Sequence, residues 1–422
     1  MTGWELTCVL VMSIEDTELA MRNQAVAYGD TTIPVGIRSR FVPDNNGITL
    51  HVLEAGFESA DRPCVVLLHG FPELAYSWRK VMLPLAEAGF YVVAPDLRGY
   101  GRSDGTNVSF ADDLRPFSLL NHVRDTLGLV FALGHRAVAA VVGHDYGSPV
   151  AAWCALARPD VFRSVAMMSA PFDGAPSLPF NTANAAAAIR ASSKLTIHQE
   201  LALLNPPRKH YQWYYSTPHA NNDMQHCSQG VHDFLRAYYH MKSADWKANT
   251  PFPLASWSAE ELAKLPRYYV MDLDKTMAET VASEMPTATE VAACRWLPDE
   301  DLRVYSSEYG RTGFQGGLQS YRVGTDPTYA AELRLFAGRT IDVPACFIAG
   351  ANDWGVHQRA GRLELMQSTA CTQMRGVHLL QGAGHWVQQE QPQAVSALLL
   401  EFLEEGPSQR PLREPGRRAS LD

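Results

Sequence analysis

The sequence predicts an α/β protein, in which a largely parallel β-sheet is covered by helices and carries an inserted helical region before its last strands. Short apolar runs rich in Val, Ile and Ala recur along the chain, and most are continuous rather than alternating, which is typical of strands buried on both faces. Helical patterns separate these runs, as expected where crossover helices join parallel strands. The alternation stops at Pro171 and resumes at Ile341, which indicates a mostly helical cap inserted into the sheet protein.

Seven apolar runs are the strand candidates. They are GITLHVLEAG (47–56), PCVVLLHG (63–70), FYVVAPDLRGYGRSD (90–104), AVAAVVGHDYG (137–147), FRSVAMMSAP (162–171), DVPACFIAGAND (342–353) and GVHLLQGAGH (376–385). Helices are predicted between them, for example over 77–89 and 148–162.

These elements divide the chain into five regions. They are an N-terminal extension (1–35), the first part of the core (36–170), the helical cap (171–340), the second part of the core (341–404) and a tail (405–422). The extension has no clear pattern. The tail is rich in Pro, Arg and Gly, a composition that predicts disorder.

Composition excludes several classes of function. The net charge is −9, with 45 acidic against 36 basic residues, so the chain lacks the positive field that nucleic acid or an anionic membrane surface would require. No apolar run reaches the ~18 residues of a membrane span, and the run after Glu5 is too short for a signal peptide. Seven scattered cysteines form no C-x-x-C pair, which argues against disulfides and zinc and favours a cytoplasmic location. No metal or cofactor is implied, and the sequence leaves open whether the chain forms a homodimer.

The segment GHDYGS (143–148) predicts a sharp turn from a strand into a helix. Small residues surround Asp145, and such a turn would project its carboxylate over the carboxyl edge of the sheet. The amide of Tyr146, at the start of the helix, would point to the same space and can hold an oxyanion. Taken alone, the motif is equally consistent with Asp145 as a helix cap.

Three other segments favour a catalytic interpretation. The segment HGFPE (69–73) follows a buried strand, and its Phe71 amide can serve as a second oxyanion donor. Asp353 follows a predicted strand, and His385 ends the last one. The chain therefore has the order nucleophile, acid, histidine, with the cap inside the gap between the first two.

Five motifs, taken in order, resemble the α/β-hydrolase superfamily and specifically its epoxide hydrolases with an aspartate nucleophile, the fungal members most. They are HGFPE, DLRGYGRSD, GHDYGS, AGANDWG and GAGHWVQQEQP. The resemblance covers about 38–404 and implies the α/β-hydrolase fold, a mostly parallel eight-stranded sheet flanked by helices with an inserted helical cap. It also implies a lipophilic epoxide and water as substrates. The cap looks longer than in plain epoxide hydrolases because of the stretch from about Ser243 to Tyr305. This difference leaves the substrate's identity open.

A carboxylate nucleophile suits a saturated carbon, because it is already ionised at neutral pH and needs no base for the first attack. Asp145 would form an alkyl ester, and water activated by His385 would hydrolyse it. Asp353 would orient the imidazole, and the amides of Phe71 and Tyr146 would hold the oxyanion.

The leaving group decides between two reactions of this kind. An epoxide oxygen needs a proton donor, whereas a halide needs only N–H donors. Resemblance assigns the donors to Tyr214 and Tyr321, with Tyr211 and Tyr215 as near rivals for the first position. Related haloalkane dehalogenases usually have Trp directly after the nucleophile, where this chain has Tyr146.

The predicted function is therefore conversion of a lipophilic epoxide to a vicinal diol. The alternatives are a haloalkane or haloacid dehalogenase, another aspartyl-ester hydrolase, or a ligand-binding protein on the hydrolase scaffold that has lost turnover. The residues expected to contact substrate are His69, Pro72, Tyr215, Trp354 and Trp386. The Trp, Met and Tyr content of 211–321 favours an apolar, polycyclic or polyketide-like substrate.

Overall fold

Ten strands are present in the computed structural model, which describes residues 26–29, 31–59, 61–177 and 195–406. They are β1 (Ile37–Asn45), β2 (Ile48–Ala55), β3 (Cys64–Leu68), β4 (Tyr91–Pro95), β5 (Ala140–His144), β6 (Val165–Met168), β7 (Arg208–His210), β8 (Val270–Asp272), β9 (Ala345–Gly350) and β10 (Met374–Leu380). The predictions for 1–25 of the extension and 407–422 of the tail lie outside the described residues.

Eight of these strands form one sheet in the order β1-β2-β4-β3-β5-β6-β9-β10. β1 pairs with β2, and β2 with β4, in antiparallel fashion, whereas all pairings from β4 to β10 are parallel. The mostly parallel eight-stranded sheet expected from the sequence is thus confirmed. β4 lies on one side of β3, and β5 lies on the other. Successive strands are therefore added in opposite directions across the sheet, and the point of reversal lies between β3 and β5. A ligand crevice is expected at the carboxyl ends of the strands beside such a reversal.

The seven predicted strands are all present, and the structure adds β1. Every residue of β3, β4, β5, β6 and β9 is buried, which explains why their sequences read as continuous apolar runs. β1 is an edge strand in which only Ile37, Val42 and Asn45 are fully buried. Its mixed composition gave no apolar run, and its place in the sheet depends on pairing with β2.

Helices cover the sheet and build the cap. Their bounds are Arg79–Glu87, Leu119–Ala132, Gly147–Ala157, Ile197–Ala202, Tyr211–Tyr215, Ala220–Gln225, Gly230–Lys242, Ala259–Leu262, Met277–Ala282, Ala288–Ala293, Asp299–Thr312, Gln315–Thr325, Pro327–Leu333, Arg362–Leu365, Val387–Glu390 and Pro392–Glu404. β7 and β8 add a small antiparallel ribbon to the cap. Within the described ranges, no helix is long and apolar enough to cross a membrane.

Part of the predicted N-terminal extension packs against the core. Tyr28 and Ile33 are both buried in the main apolar cluster. The amide of Tyr28 donates to the hydroxyl of Ser39 on β1, and the guanidinium of Arg102 lies 3.7 Å from the centre of the Tyr28 ring. Residues just before β1 therefore contribute to the stability of the sheet edge.

Candidate active site

The turn after β5 holds Asp145 in the left-handed region, with φ of 50°. A turn this tight leaves no room for a side chain at position 143 or at position 147. A Cβ atom at Gly143 would lie 1.9 Å from the Gly147 carbonyl oxygen, and one at Gly147 would lie 2.2 Å from the Leu68 oxygen. The glycines of GHDYGS are thus required by close backbone contacts, and they place the strained residue at the end of the strand.

The Asp145 carboxylate lies against the loop that follows β3. Its Oδ2 accepts a hydrogen bond of 2.9 Å from the Phe71 amide. Gly70 makes this approach possible, because a Cβ there would lie 2.4 Å from the Asp145 Cβ. Tyr146 is the N-cap residue of the helix Gly147–Ala157, so its amide lies at the positive end of that helix. Of the two amides expected to hold an oxyanion, that of Phe71 contacts the carboxylate directly, and that of Tyr146 belongs to the next residue along the chain.

His385 lies between the two carboxylates. Its Nδ1 is 3.1 Å from Asp353 Oδ1 and 3.2 Å from Oδ2, and its Nε2 is 3.4 Å from Asp145 Oδ1. Asp353 Oδ1 also accepts from the Gly355 amide at 2.7 Å, which fixes its orientation. The structure thus brings together Asp145, Asp353 and His385, which are far apart in the sequence.

The three groups differ in their exposure. The side chains of His385 and Asp353 are each 1% exposed, whereas that of Asp145 is 14% exposed. Burial by itself would raise the pKa of Asp145, but the hydrogen bond and charge of His385 outweigh burial and hold that pKa below its usual range. Asp145 is therefore an ionised carboxylate with an open face, which is the state a nucleophile requires.

For two cap phenols, the charge of Asp145 is the strongest influence on the pKa after burial, and for a third, Tyr269, it is a weaker one. Burial first, and then the negative charge of Asp145, raise the pKa of both Tyr211 and Tyr321. The ring of Tyr321 contacts Phe71 edge-on at 5.4 Å between centroids, and the rings of Tyr211 and Tyr321 are 6.0 Å apart. Both hydroxyls remain protonated at neutral pH and can serve as donors.

The structure does not place Tyr214 with them, although Tyr214 was the residue expected from the sequence. Its hydroxyl donates to Asp223 Oδ2 at 2.9 Å, and the side chain lines a separate surface cavity that includes His219. Burial cannot separate the rivals, since Tyr211 and Tyr214 are 5% and 4% exposed. The direction of the side chain separates them, and it favours Tyr211 over Tyr214.

Tyr215, the other rival, belongs to the aromatic wall of the site. Its ring lies 5.3 Å from Phe71 and 5.0 Å from Tyr321. Its hydroxyl donates to the Tyr238 hydroxyl at 3.3 Å. This placement agrees with the expected contact with substrate rather than with proton donation.

Several residues expected to contact substrate are used by the fold instead. His69 donates from Nδ1 to the Gly70 carbonyl and accepts at Nε2 from the Leu97 amide, so both its ring nitrogens are occupied. The Pro72 carbonyl accepts from the Tyr239 hydroxyl, and the Trp386 indole N–H donates to the Tyr239 carbonyl. These three residues thus join the segments around the site, and their contact with substrate stays a prediction. Trp354, by contrast, is 3% exposed, and its indole nitrogen has no hydrogen-bond partner among the described residues.

A buried polar layer lies beneath the site. Its members Glu73, His144 and Gln388 belong to three of the five motifs, but the motifs alone predict no role for them. Glu73, the last residue of HGFPE, lies 2.5 Å from Nδ1 of His144. The Nε2 of His144 donates to the His385 carbonyl at 2.7 Å, and Gln388 donates to the other oxygen of Glu73. His144, the residue before Asp145, thus supports the backbone of His385. No sequence spacing predicts this link, since its members come from three distant parts of the chain: the loop after β3, the end of β5, and the segment from His385 to Gln388.

Comparison with known proteins agrees with this geometry. The family described as the alpha/beta hydrolase fold matches residues 63–392. Epoxide hydrolase A of Mycobacterium tuberculosis is 32% identical over 370 residues, which cover 87% of this chain and 98% of that protein. An epoxide hydrolase from an endophytic Streptomyces has a TM-score of 0.69 at 30% identity, covering 88% of this chain and 96% of its own. Potato epoxide hydrolase I, from Solanum tuberosum, has a TM-score of 0.64 at 27% identity, covering 87% and 99%.

The matches extend over most of the core and the cap, and they include the segments that carry all five motifs. The resemblance to the α/β-hydrolases and, within them, to the epoxide hydrolases is thereby confirmed, whereas the aspartate nucleophile stays a prediction. The chain belongs to the α/β-hydrolase fold family and, within it, to the epoxide hydrolases.

Proposed function

We propose that the protein hydrolyses a lipophilic epoxide to a vicinal diol through a covalent ester of Asp145. The observation that carries this proposal is the ionised carboxylate at the strained turn. One of its oxygens is held by the Phe71 amide, and the other lies 3.4 Å from Nε2 of His385. A histidine beside a carboxylate at an elbow is the arrangement that an ester-forming and ester-hydrolysing site requires.

The first step is attack at carbon. Oδ1 of Asp145 displaces the ring oxygen from an epoxide carbon, forming a C–O bond as the strained one breaks. The departing oxygen takes a proton from Tyr211 or Tyr321 and becomes a hydroxyl group. In the resting protein the Tyr211 hydroxyl donates to Gln358 at 3.1 Å, and the epoxide oxygen replaces Gln358 as acceptor when substrate binds.

The second step is hydrolysis of the ester. Nε2 of His385 removes a proton from water, and the oxygen of that water attacks Cγ of Asp145. Negative charge develops on Oδ2, which already accepts from the Phe71 amide, and the Tyr146 amide is the second donor. The bond from Cγ to the substrate oxygen then breaks as that oxygen takes the proton held by His385. The carboxyl proton left on Asp145 passes to the phenolate of the tyrosine that opened the ring, so that the Asp145 carboxylate and the phenol both return. Asp353 stabilises the imidazolium formed in between.

The lining of the site favours an apolar substrate. Phe71, Tyr215 and Tyr321 form a continuous aromatic surface with ring centroids 5.0–5.4 Å apart, and Trp354 follows the catalytic acid. Aromatic walls with few polar groups bind apolar ligands and use those polar groups to orient them.

The test is a single turnover with excess enzyme and styrene oxide in heavy-oxygen water. Hydrolysis at Cγ would put the label into Asp145, whereas the first diol would carry only unlabelled oxygen. The tryptic peptide 137–163 contains both Asp145 and Asp160, so its fragment ions must place the label. A labelled diol with an unlabelled peptide would mean that water attacks the epoxide directly, and the ester route would be wrong.

The substitution His385→Gln separates the two half-reactions. Because Asp145 needs no base, the variant is expected to form the ester and then to lose most of the hydrolysis rate, so that peptide 137–163 gains the full mass of the epoxide. Asp145→Asn is the matched control and should form no adduct. A normal steady-state rate in His385→Gln would contradict the assigned role of His385.

A further inference from the structure

Lys242 is the last residue of the cap helix Gly230–Lys242, and it lies beside the active site. Only 3% of the residue is exposed. Among the described residues, no carboxylate forms an ion pair with its ammonium group. Burying an ammonium without an ion pair costs free energy, so this lysine calls for an explanation that packing does not supply.

Three aromatic rings surround the ammonium group. Nζ of Lys242 lies 5.2 Å from the centre of Tyr269, and 5.3 Å from each of Tyr238 and Trp386. The faces of Trp and Tyr rings carry partial negative charge and attract a cation at this distance. This aromatic cage of Tyr238, Tyr269 and Trp386 offsets part of the cost of desolvating the ammonium group. Unlike a carboxylate, it does so without neutralising the positive charge.

The backbone next to Lys242 is tied to the catalytic histidine. The His385 amide donates to the Lys242 carbonyl at 2.8 Å. A Cβ at Gly384 would lie 2.6 Å from that carbonyl oxygen, so the segments around Lys242 and Gly384 are in tight contact. Glu390 holds the same pair of segments, because its carboxylate accepts from the amides of Gly384, Trp386 and Ala244 at 2.9–3.0 Å. The Lys242 backbone is therefore held at a fixed position relative to His385, and Nζ lies against the ring of Trp386, the next residue after His385.

We propose, on the basis of the function proposed above, that Lys242 is a positioning residue: its caged ammonium opposes protonation of the His385 imidazole, which must be unprotonated to accept a proton from water. Two carboxylates contact this imidazole, and both favour its protonated form. A protonated His385 cannot act as a base. A buried cation nearby opposes that protonation, and the low-dielectric cage gives its charge more effect than it would have in water.

The charged and titratable groups that face His385 come from every element packed against it. They are Asp145 and His144 at the end of β5, Asp353 after β9, Lys242 from the cap and, through His144, Glu73. Glu390 binds the amides of the residues on both sides of His385, and burial raises its pKa to about 7, so its titration is common to the wild type and the variants. Burial and the charge of Lys242 lower the pKa of His385, and the charge of Asp353 with the hydrogen bonds to both carboxylates raises it above its usual value.

The balance changes during the reaction. When Asp145 becomes an ester, one of the two negative charges beside His385 disappears, while the positive charge of Lys242 remains. The ammonium therefore has its greatest effect in the ester state, where His385 must act as a base. This predicts an effect of Lys242 mainly on ester hydrolysis, and hence on kcat.

The test is the pH dependence of kcat and KM for styrene oxide, from about pH 5 to about pH 9, in Lys242→Met. Methionine keeps much of the apolar volume and removes the charge. The acidic limb of the kcat profile should move to higher pH, with kcat at about pH 6 falling by about tenfold relative to the wild type and the difference closing at high pH. Lys242→Arg should keep the wild-type profile. Lys247→Met removes the same charge from an exposed cap lysine and should change nothing. An equal loss at every pH would indicate a purely structural role and would overturn the proposal.

A second measurement does not depend on turnover. In protein labelled on histidine, the imidazole signal that disappears in His385→Gln identifies His385 by NMR, and its titration midpoint should rise in Lys242→Met. If that variant fails to fold, Lys242→Gln serves in its place. An unchanged midpoint in an active enzyme would overturn the role of Lys242 alone. Absence of diol formation by the wild type would instead refute the proposed function.

Discussion

Individual cap tyrosines differ in the groups that their hydroxyls can reach. Tyr211 and Tyr321 lie where the charge of Asp145 acts on them. The Tyr214 hydroxyl instead donates to Asp223 of the neighbouring helix Ala220–Gln225. The three residues have the same chemistry, and Tyr211 and Tyr214 are almost equally buried. Only the direction in which each side chain leaves the backbone distinguishes a proton donor from a residue that supports the cap.

Replacement of single phenols tests this distinction. Tyr211→Phe and Tyr321→Phe should each slow alkylation of Asp145, and the double variant should lose about 10²–10⁴-fold, because no acid then meets the departing alkoxide. Burst-phase measurement of ester formation with styrene oxide reports this step directly. Tyr214→Phe is the matched control, with retained alkylation expected. A large loss in Tyr214→Phe with full activity in Tyr211→Phe would restore the assignment made from the sequence.

At the scale of elements, the site depends on how closely the turn after β5 packs against β3. Gly143 and Gly147 touch backbone atoms on both sides, so the strand, turn and helix form one rigid unit. The same packing brings Phe71 to hydrogen-bond distance of Asp145. The position of Asp145 is therefore set by strand pairing between β3 and β5 rather than by the turn alone.

Gly147→Ala tests the rigidity of this unit. The new Cβ would lie 2.2 Å from the Leu68 carbonyl oxygen, and relieving that overlap is expected to cost about 1–3 kcal/mol, measurable by urea unfolding. Gly310→Ala is the control, because Gly310 lies inside the helix Asp299–Thr312 with no atom within 4 Å of the added Cβ. That change should stabilise the protein by roughly 0.5–1 kcal/mol. Equal stability in Gly147→Ala and the wild type would show that the turn tolerates a side chain.

At the scale of the whole molecule, buried histidines make stability depend on pH. Burial lowers the pKa of His122 from 6.5 to about 4 and that of His210 from 6.5 to about 3. The unfolded chain takes up these protons near pH 6.5, whereas the folded chain does so only near the lowered values. Between these limits the unfolded state binds more protons, so the free energy of unfolding falls as the pH drops.

His122→Gln tests this dependence. Each pKa unit corresponds to about 1.4 kcal/mol, so His122 alone accounts for a loss of up to about 3 kcal/mol on going from neutral pH to about pH 4. The variant should show a smaller decrease in unfolding free energy over this range than the wild type, by urea denaturation at several pH values. His219→Gln, at an exposed position of the cap, should keep the wild-type slope. An unchanged slope in His122→Gln would assign the acid sensitivity to other groups.

The sequence by itself determined the sheet and the identity of the three central groups. Continuous apolar runs can be buried only between two layers of helices, so they predict parallel strands, and the carboxyl ends of parallel strands meet at one edge. Asp145, Asp353 and His385 each follow such a strand, and their convergence was predictable without coordinates. β1 escaped prediction because an edge strand is half exposed and has no continuous apolar pattern.

Tertiary structure decided which neighbours act on those three groups. The helix Tyr211–Tyr215 presents residues four apart on one face, so Tyr211 and Tyr215 approach Tyr321 together while Tyr214 turns to Asp223. The cage around Lys242 combines side chains from the cap helix, from the residue just before β8 and from the residue after His385. Such contacts depend on the rotation of a helix about its axis and on the docking of cap against core. Local sequence patterns encode neither, because both are set by the packing of residues that are distant in the chain.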